Sequence, residues 1–177
     1  MTEAALNVNG TMEKPRAKER TFTKLGYTKS ETQDLVKALN ILLANYAVHH
    51  QKLRNFHWNV TGSDFFDVHE KLEEQYHQAA EAIDTIAERV RVFGRTPTST
   101  MREYLDTSDI QESGTDLDAH AMVKEVLADQ RILLEHLFST LDRAIAHGDS
   151  GTEDLVKGYI RYLEKRHWML TAFTKRS

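Results

Sequence analysis

The sequence predicts an all-α protein whose four long helices fold into a single bundle, and three observations predict it. Pro15 and Pro97 are the only prolines, so two long stretches contain no residue that removes a backbone donor and breaks a helix. Most of the eight glycines fall at the edges of apolar-periodic segments, where helices commonly stop. Between these marks the apolar residues recur at intervals of three and four, the repeat of a helix face rather than the alternation of a strand.

The first helix runs from Gln33 to about Val60, with Leu35, Leu39, Leu42, Leu43, Tyr46, Leu53 and Phe56 at helical spacing. The second runs from about Phe65 to Phe93, with Ser63 or Asp64 as N-cap and Gly94 as its stop. About twenty residues then intervene, too many for a tight turn. Within them Thr98 to Leu105 contains Ser99 and Thr100, either of which can cap a short helix. The third helix runs from about Leu117 to His147 on Met122, Val126, Leu133, Leu137, Leu141 and Ile145. The fourth runs from about Glu153 to Phe173 behind Thr152 as N-cap, with Gly158 inside it at a cost of up to about 1 kcal/mol relative to alanine. Helices of about 27 residues are roughly 40 Å long. A four-helix bundle with a long middle connection that holds a short helix is the topology of ferritin-like folds.

A chain of 177 residues accommodates one domain with a tail, not two full domains. Residues 1–30 read as a flexible N-terminal tail and residues 31–177 as the bundle domain. The absence of cysteine excludes thiolate catalysis, cysteine zinc sites, iron–sulfur clusters and disulfides. The longest stretch without formal charge, Ala38 to Gln51, is too short to span a bilayer. The N-terminus lacks a cationic-then-apolar signal pattern, so a cytoplasmic protein without a membrane partner is expected. A net charge of -4 and a pI near 6.1 exclude a globally basic nucleic-acid binder.

The chemistry concentrates between Asn55 and Arg89. His57, His69, Glu73, Asp84 and Glu88 are candidate metal ligands. His69 and Glu73 share a helix face, as do Asp84 and Glu88. Two carboxylates four residues apart repel, and a cation between them reverses the sign of that interaction. Imidazole and carboxylate without thiolate suit iron, manganese or zinc. Glu73 and Asp84 are separated by about 16 Å along the helix axis, whereas metal ligands lie about 2 Å from their ion. The two pairs therefore cannot hold one ion within one chain. They can if a second copy packs its own second helix antiparallel across a two-fold axis, which completes two equivalent sites at once. Each residue alone has an ordinary reading as a solvated acid, a boundary histidine or, for His57-Trp58, a packing and capping pair. The set at this spacing is what points to metal.

An intra-bundle di-iron site needs a glutamate from each of two helices and Glu-x-x-His from each of the others. Glu74 to His77 and Glu164 to His167 match the second element in form. The first helix, however, has no acidic residue from Leu35 to Phe56, so the site fails and His77 and His167 read as surface or interface residues.

The ordered pattern His57-Trp58-Asn59-Val60, Gly62, Phe65, Val68-His69-Glu70, Glu73 and Asp84-x-x-Ala87-Glu88-Arg89 closely resembles the Dps family, the starvation-induced DNA-protecting miniferritins. The resemblance extends from about residue 30 to 170. It implies a homododecameric cage that oxidises Fe(II), two iron ions per inter-subunit site, with hydrogen peroxide preferred over dioxygen, and stores ferric mineral. His57, His69 and Glu73 match one subunit's ligands and Asp84 and Glu88 its partner's. Glutamate at 73 stands where several members have aspartate, and zinc is a substitute for iron. Trp58 is a candidate electron donor, with interface packing as the equal alternative. Asp149, Glu153 and Asp154 are candidate pore residues by electrostatic focusing, or simply complement a helix dipole.

Residues 1–30 carry six basic against three acidic residues, while the remainder is net negative. Lys14, Arg16, Lys18 and Arg20 are the candidate DNA contacts, multiplied by avidity on a cage; a tail packed on the shell is the alternative. The rival to the ferroxidase is a non-enzymatic nucleoid-compaction protein with a vestigial or zinc-occupied metal site.

Overall fold

The computed structural model describes residues 27–28 and 30–175 of the chain. The proposed tail contacts Lys14, Arg16, Lys18 and Arg20 lie outside them. Four long helices and one short one make up the fold: α1 (Gln33–Asn59), α2 (Phe65–Val92), α3 (Met101–Thr107), α4 (Ala119–His147) and α5 (Ser150–Thr174). The apolar positions read from the first helix are its core residues: Leu35, Leu39, Leu42, Leu43, Tyr46, Leu53 and Phe56 are all fully buried. α1 packs against α2, α3 and α4, and α4 packs against α5. No helix among the described residues is long and apolar enough to cross a membrane.

The long connection has a topological task. α2 ends at the end of the bundle where α1 began, whereas α4 begins near the end of α1, where Asn55 Nδ2 donates to the carbonyls of Ser113 and Gly114. The chain therefore travels back along α1, and three asparagines of α1 hold it there. Asn40 Oδ1 accepts from the Thr98 amide at 2.8 Å. The fully buried Asn45 accepts through Oδ1 from the Ser108 hydroxyl and from the amides of Asp109 and Ile110. Thr100, rather than Ser99, is the N-cap of α3, in a capping box with Glu103.

Two helix boundaries carry the rest of the geometry. α2 stops at Gly94, as its sequence predicts. α5, however, begins at Ser150 with Asp149 at its N-cap, three residues earlier than predicted. Gly148, at φ 64°, closes α4 in the left-handed conformation that glycine adopts without strain. The chain thus reverses within two residues and leaves no room for a longer loop. Thr152 is consequently not the N-cap: it is buried inside α5, where its hydroxyl accepts from Arg89 Nε at 2.8 Å.

Candidate metal centre

The five-residue loop between α1 and α2 reverses the chain so tightly that the last turn of α1 lies against the first turns of α2. His57 and His69 meet there with their rings stacked, centroids 3.8 Å apart and planes 22° from parallel. Each ring is fixed by the other residue's backbone. His69 Nδ1 lies 2.8 Å from the His57 carbonyl, and His57 Nδ1 lies 3.0 Å from the His69 carbonyl. The His57 carbonyl belongs to the last turn of α1, whose carbonyls have no partner within the helix, so His69 caps it.

These two bonds also determine the tautomers. A carbonyl oxygen only accepts, so each Nδ1 carries its proton and donates. In the neutral ring this leaves the lone pair on Nε2, the arrangement of a histidine prepared for a metal, with its other nitrogen tied to a carbonyl. Capping and metal binding are compatible because they use different nitrogens. Phe65 stacks on the outer face of His69 at 5.0 Å and Tyr76 presents its edge to His57 at 5.2 Å, which restricts both rings further.

Glu73 completes the group. His57, His69 and Glu73 each offer a ligand atom within 4.8 Å of one another, the one such cluster of three among the described residues. The cluster runs from a buried His57 through a half-buried His69 to an exposed Glu73, so it opens outward from the bundle. Tyr76, which sequence reasoning passed over, donates its hydroxyl to Glu73 at 3.3 Å. Partial desolvation, together with the Glu73 charge and that hydrogen bond, raises the Tyr76 pKa. Beside Tyr76, burial together with the Arg54 guanidinium and the neighbouring His49 and His77 lowers the pKa of His50.

Asp84 and Glu88 are not brought to this cluster. Both stand exposed farther along α2, on the same side as Glu73, Asp84 about 16 Å and Glu88 about 22 Å from it along the axis. Trp58 is 58% exposed, with the Arg54 guanidinium 4.8 Å above its ring. The bundle interior holds no comparable cluster among the described residues. Among its polar groups, Gln130 Nε2 donates to Gln75 Oε1, and Asp129 accepts from Lys52 and pairs with His49.

The three acids at the start of α5 divide. Asp149 is buried, and its carboxylate accepts from Arg89 Nη2 at 2.5 Å. Burial acts to raise its pKa, but hydrogen bonds from Arg89 and Thr152 and the Arg89 charge outweigh burial and hold it below the usual carboxylate range. Gly151 admits the guanidinium, since a Cβ there would fall 2.8 Å from Arg89 Nη2. Asp149 therefore joins α5 to α2 inside the protomer. Glu153, half-buried and paired with Lys157, and the exposed Asp154 are the acids with access to solvent. The signal for this lock was in the sequence, in Arg89 directly after Glu88, but only the fold shows its partner.

The ferritin-like domain family matches residues 36–176. The DNA protection during starvation protein 2 of Bacillus anthracis is 41% identical over 141 residues, which cover 80% of this chain and 97% of that protein. The solved structure of Dps from Staphylococcus aureus superposes with a TM-score of 0.80 at 35% identity, covering 82% of this chain and 97% of its own. Dps from Vibrio cholerae is described as a member of a broad superfamily of ferritin-like diiron-carboxylate proteins. It superposes with a TM-score of 0.81 at 32% identity, covering 99% of this chain and all of its own. By its five-helix architecture, the matched span and these relatives, the chain belongs to the Dps family of ferritin-like proteins.

Proposed function

We propose that this chain is the subunit of a dodecameric miniferritin that oxidises Fe(II) at sites shared between two subunits and stores the ferric product in its cavity. The observation that carries the reading is the reciprocal bonding of His57 and His69 to each other's carbonyls, which leaves both Nε2 lone pairs free beside Glu73. A purely structural pair of stacked histidines has no need of a carboxylate at the open end.

The second half of each site comes from a partner copy. With the two α2 helices antiparallel, His69 faces Glu88 and Glu73 faces Asp84, and a two-fold axis makes both sites equivalent. The opposed carboxylates of Glu73 and Asp84 would repel without a cation, so occupied sites also hold the pair together. Two ferrous ions as substrate then give up one electron each. One hydrogen peroxide, the preferred oxidant, takes both electrons with two protons and leaves two waters, without release of hydroxyl radical. The protein's part is to hold the ions adjacent and oriented beside a closed cavity. Zinc fits the same donors and would occupy the sites without turnover.

Glu153 and Asp154 are the proposed guides for ferrous ions into the cage. Trp58, exposed beside His57, is a proposed donor to stray oxidants. Lys14, Arg16, Lys18 and Arg20 are the proposed DNA contacts in a cytoplasmic particle, a reading supported by the DNA-protection names of its relatives.

The test is ferrous oxidation by peroxide in the assembled particle, read as iron consumed per peroxide, with native mass measured in parallel. Two irons per peroxide are expected in the wild type. Asp84→Ala/Glu88→Ala is expected to assemble and to lose the fast oxidation. Wild-type rates in that variant would refute the assignment of the site.

A further inference from the structure

One turn beyond Glu73 on the exposed face of α2 stands His77, whose Nε2 lies 3.9 Å from Glu73 Oε1. The two side chains are 68% and 48% exposed, yet neither is free to wander. The Tyr76 ring packs 4.4 Å from His77 while its hydroxyl holds Glu73. His50 of α1 closes the other side of Tyr76, with its ring 6.2 Å away. Imidazole and carboxylate four residues apart form a chelating pair on a helix, and closing that separation by about 1 Å lets one ion bond both groups at about 2 Å.

We infer that Glu73 and His77 form a second divalent-cation position, separate from the two-ion shared site at the His57/His69 cluster and one turn along α2 from it, that takes ferrous iron or a similar borderline cation. The inference rests on the inter-subunit reading for its setting. In the register where His69 faces Glu88 and Glu73 faces Asp84, His77 faces Ala80, whose exposed methyl group is the smallest side chain on that face. This leaves space for an ion and its waters between the two helices, and Glu81, the next residue, adds a carboxylate from the partner. Glu73 belongs to both positions, so an ion held first at His77 reaches the histidine pair by exchanging ligands on one carboxylate. The second position is the weaker, with fewer protein donors and more water.

Anaerobic Co(II) titration of the assembled particle, followed by visible absorption and calorimetry, tests this. In the wild type a looser class of site is expected beyond the tighter class formed by the two-ion shared site. His77→Gln, which keeps a polar side chain of similar length, is expected to weaken the looser class by about tenfold or more, as loss of a metal-site group does, and to keep the tighter class. A His77→Gln titration that superimposes on the wild type, or that loses both classes equally, overturns the proposal. Asp84→Ala/Glu88→Ala separates the two readings: it is expected to weaken the tight class and retain the His77-dependent one. If the tight class survives while His77→Gln still removes the looser one, the inter-subunit assignment fails and the second position stands.

Discussion

Dividing the proposed site between two inactive chains tests the sharing of ligands directly. One variant carries His69→Ala/Glu73→Ala and leaves the buried His57 in place; the other carries Asp84→Ala/Glu88→Ala. Glu73 and Asp84 of one chain are about 16 Å apart along α2, and an ion reaches ligands only about 2 Å away. Neither variant alone can therefore build a complete site. When equal amounts are unfolded and reassembled together, a site is intact only if its histidine half comes from the second variant and its acidic half from the first. Each condition holds for about half of the subunits, so about a quarter of all sites are restored. Initial peroxide-dependent ferric absorbance, with assembly checked by sedimentation, is expected at about a quarter of the wild-type value in the mixture and near zero in either parent. A mixed particle no more active than its parents would place all ligands within one chain and refute the argument.

The buried Asn45 is expected to be the most sensitive polar residue of the crossover. Asn45→Ala leaves the Asp109 amide without its carbonyl partner and the Ile110 amide with Ser108 Oγ alone, for a loss of about 1–3 kcal/mol, the cost of about one unpaired group. Chemical denaturation measures it, and a loss below about 1 kcal/mol counts against the pinning role. Asp149→Asn is expected to destabilise at neutral pH by about 2–3 kcal/mol, less than a fully buried pair because Arg89 retains 18% exposure. The Asp149 carboxyl is depressed in the folded state, so its contribution is complete above the ordinary value of 3.8 and is lost as pH falls through the lowered folded value. The gap between wild type and variant in thermal melts should therefore narrow only below about pH 4; a gap that closes between pH 7 and 5 contradicts the assignment. Deleting residues 1–26 is expected to abolish a salt-sensitive DNA gel shift and to leave ferrous oxidation unchanged, while a persisting shift would move DNA binding elsewhere.

Local patterns in the sequence were enough for the helices and for half of the site. The period of the α1 leucines, the stop at Gly94 and the capping residues before α3 act within a few residues of themselves, and each appears where the pattern put it. The spacing of His69 and Glu73 likewise determined that they share a face, because helix geometry alone does so. The stacking of His57 on His69, the tautomers that follow and the hydroxyl of Tyr76 on Glu73 depend on how two helices approach across a loop. The same holds for Asp149. Its position at a helix start suggested a solvent-facing acid, but the tight reversal at Gly148 turned it onto Arg89, sixty residues earlier in the chain. Asn45, an unremarked polar residue in an apolar stripe, became the anchor of the crossover for the same reason. A residue's own segment determines which face it lies on, whereas its partners are set by the packing of segments far apart in sequence, which leaves no local trace.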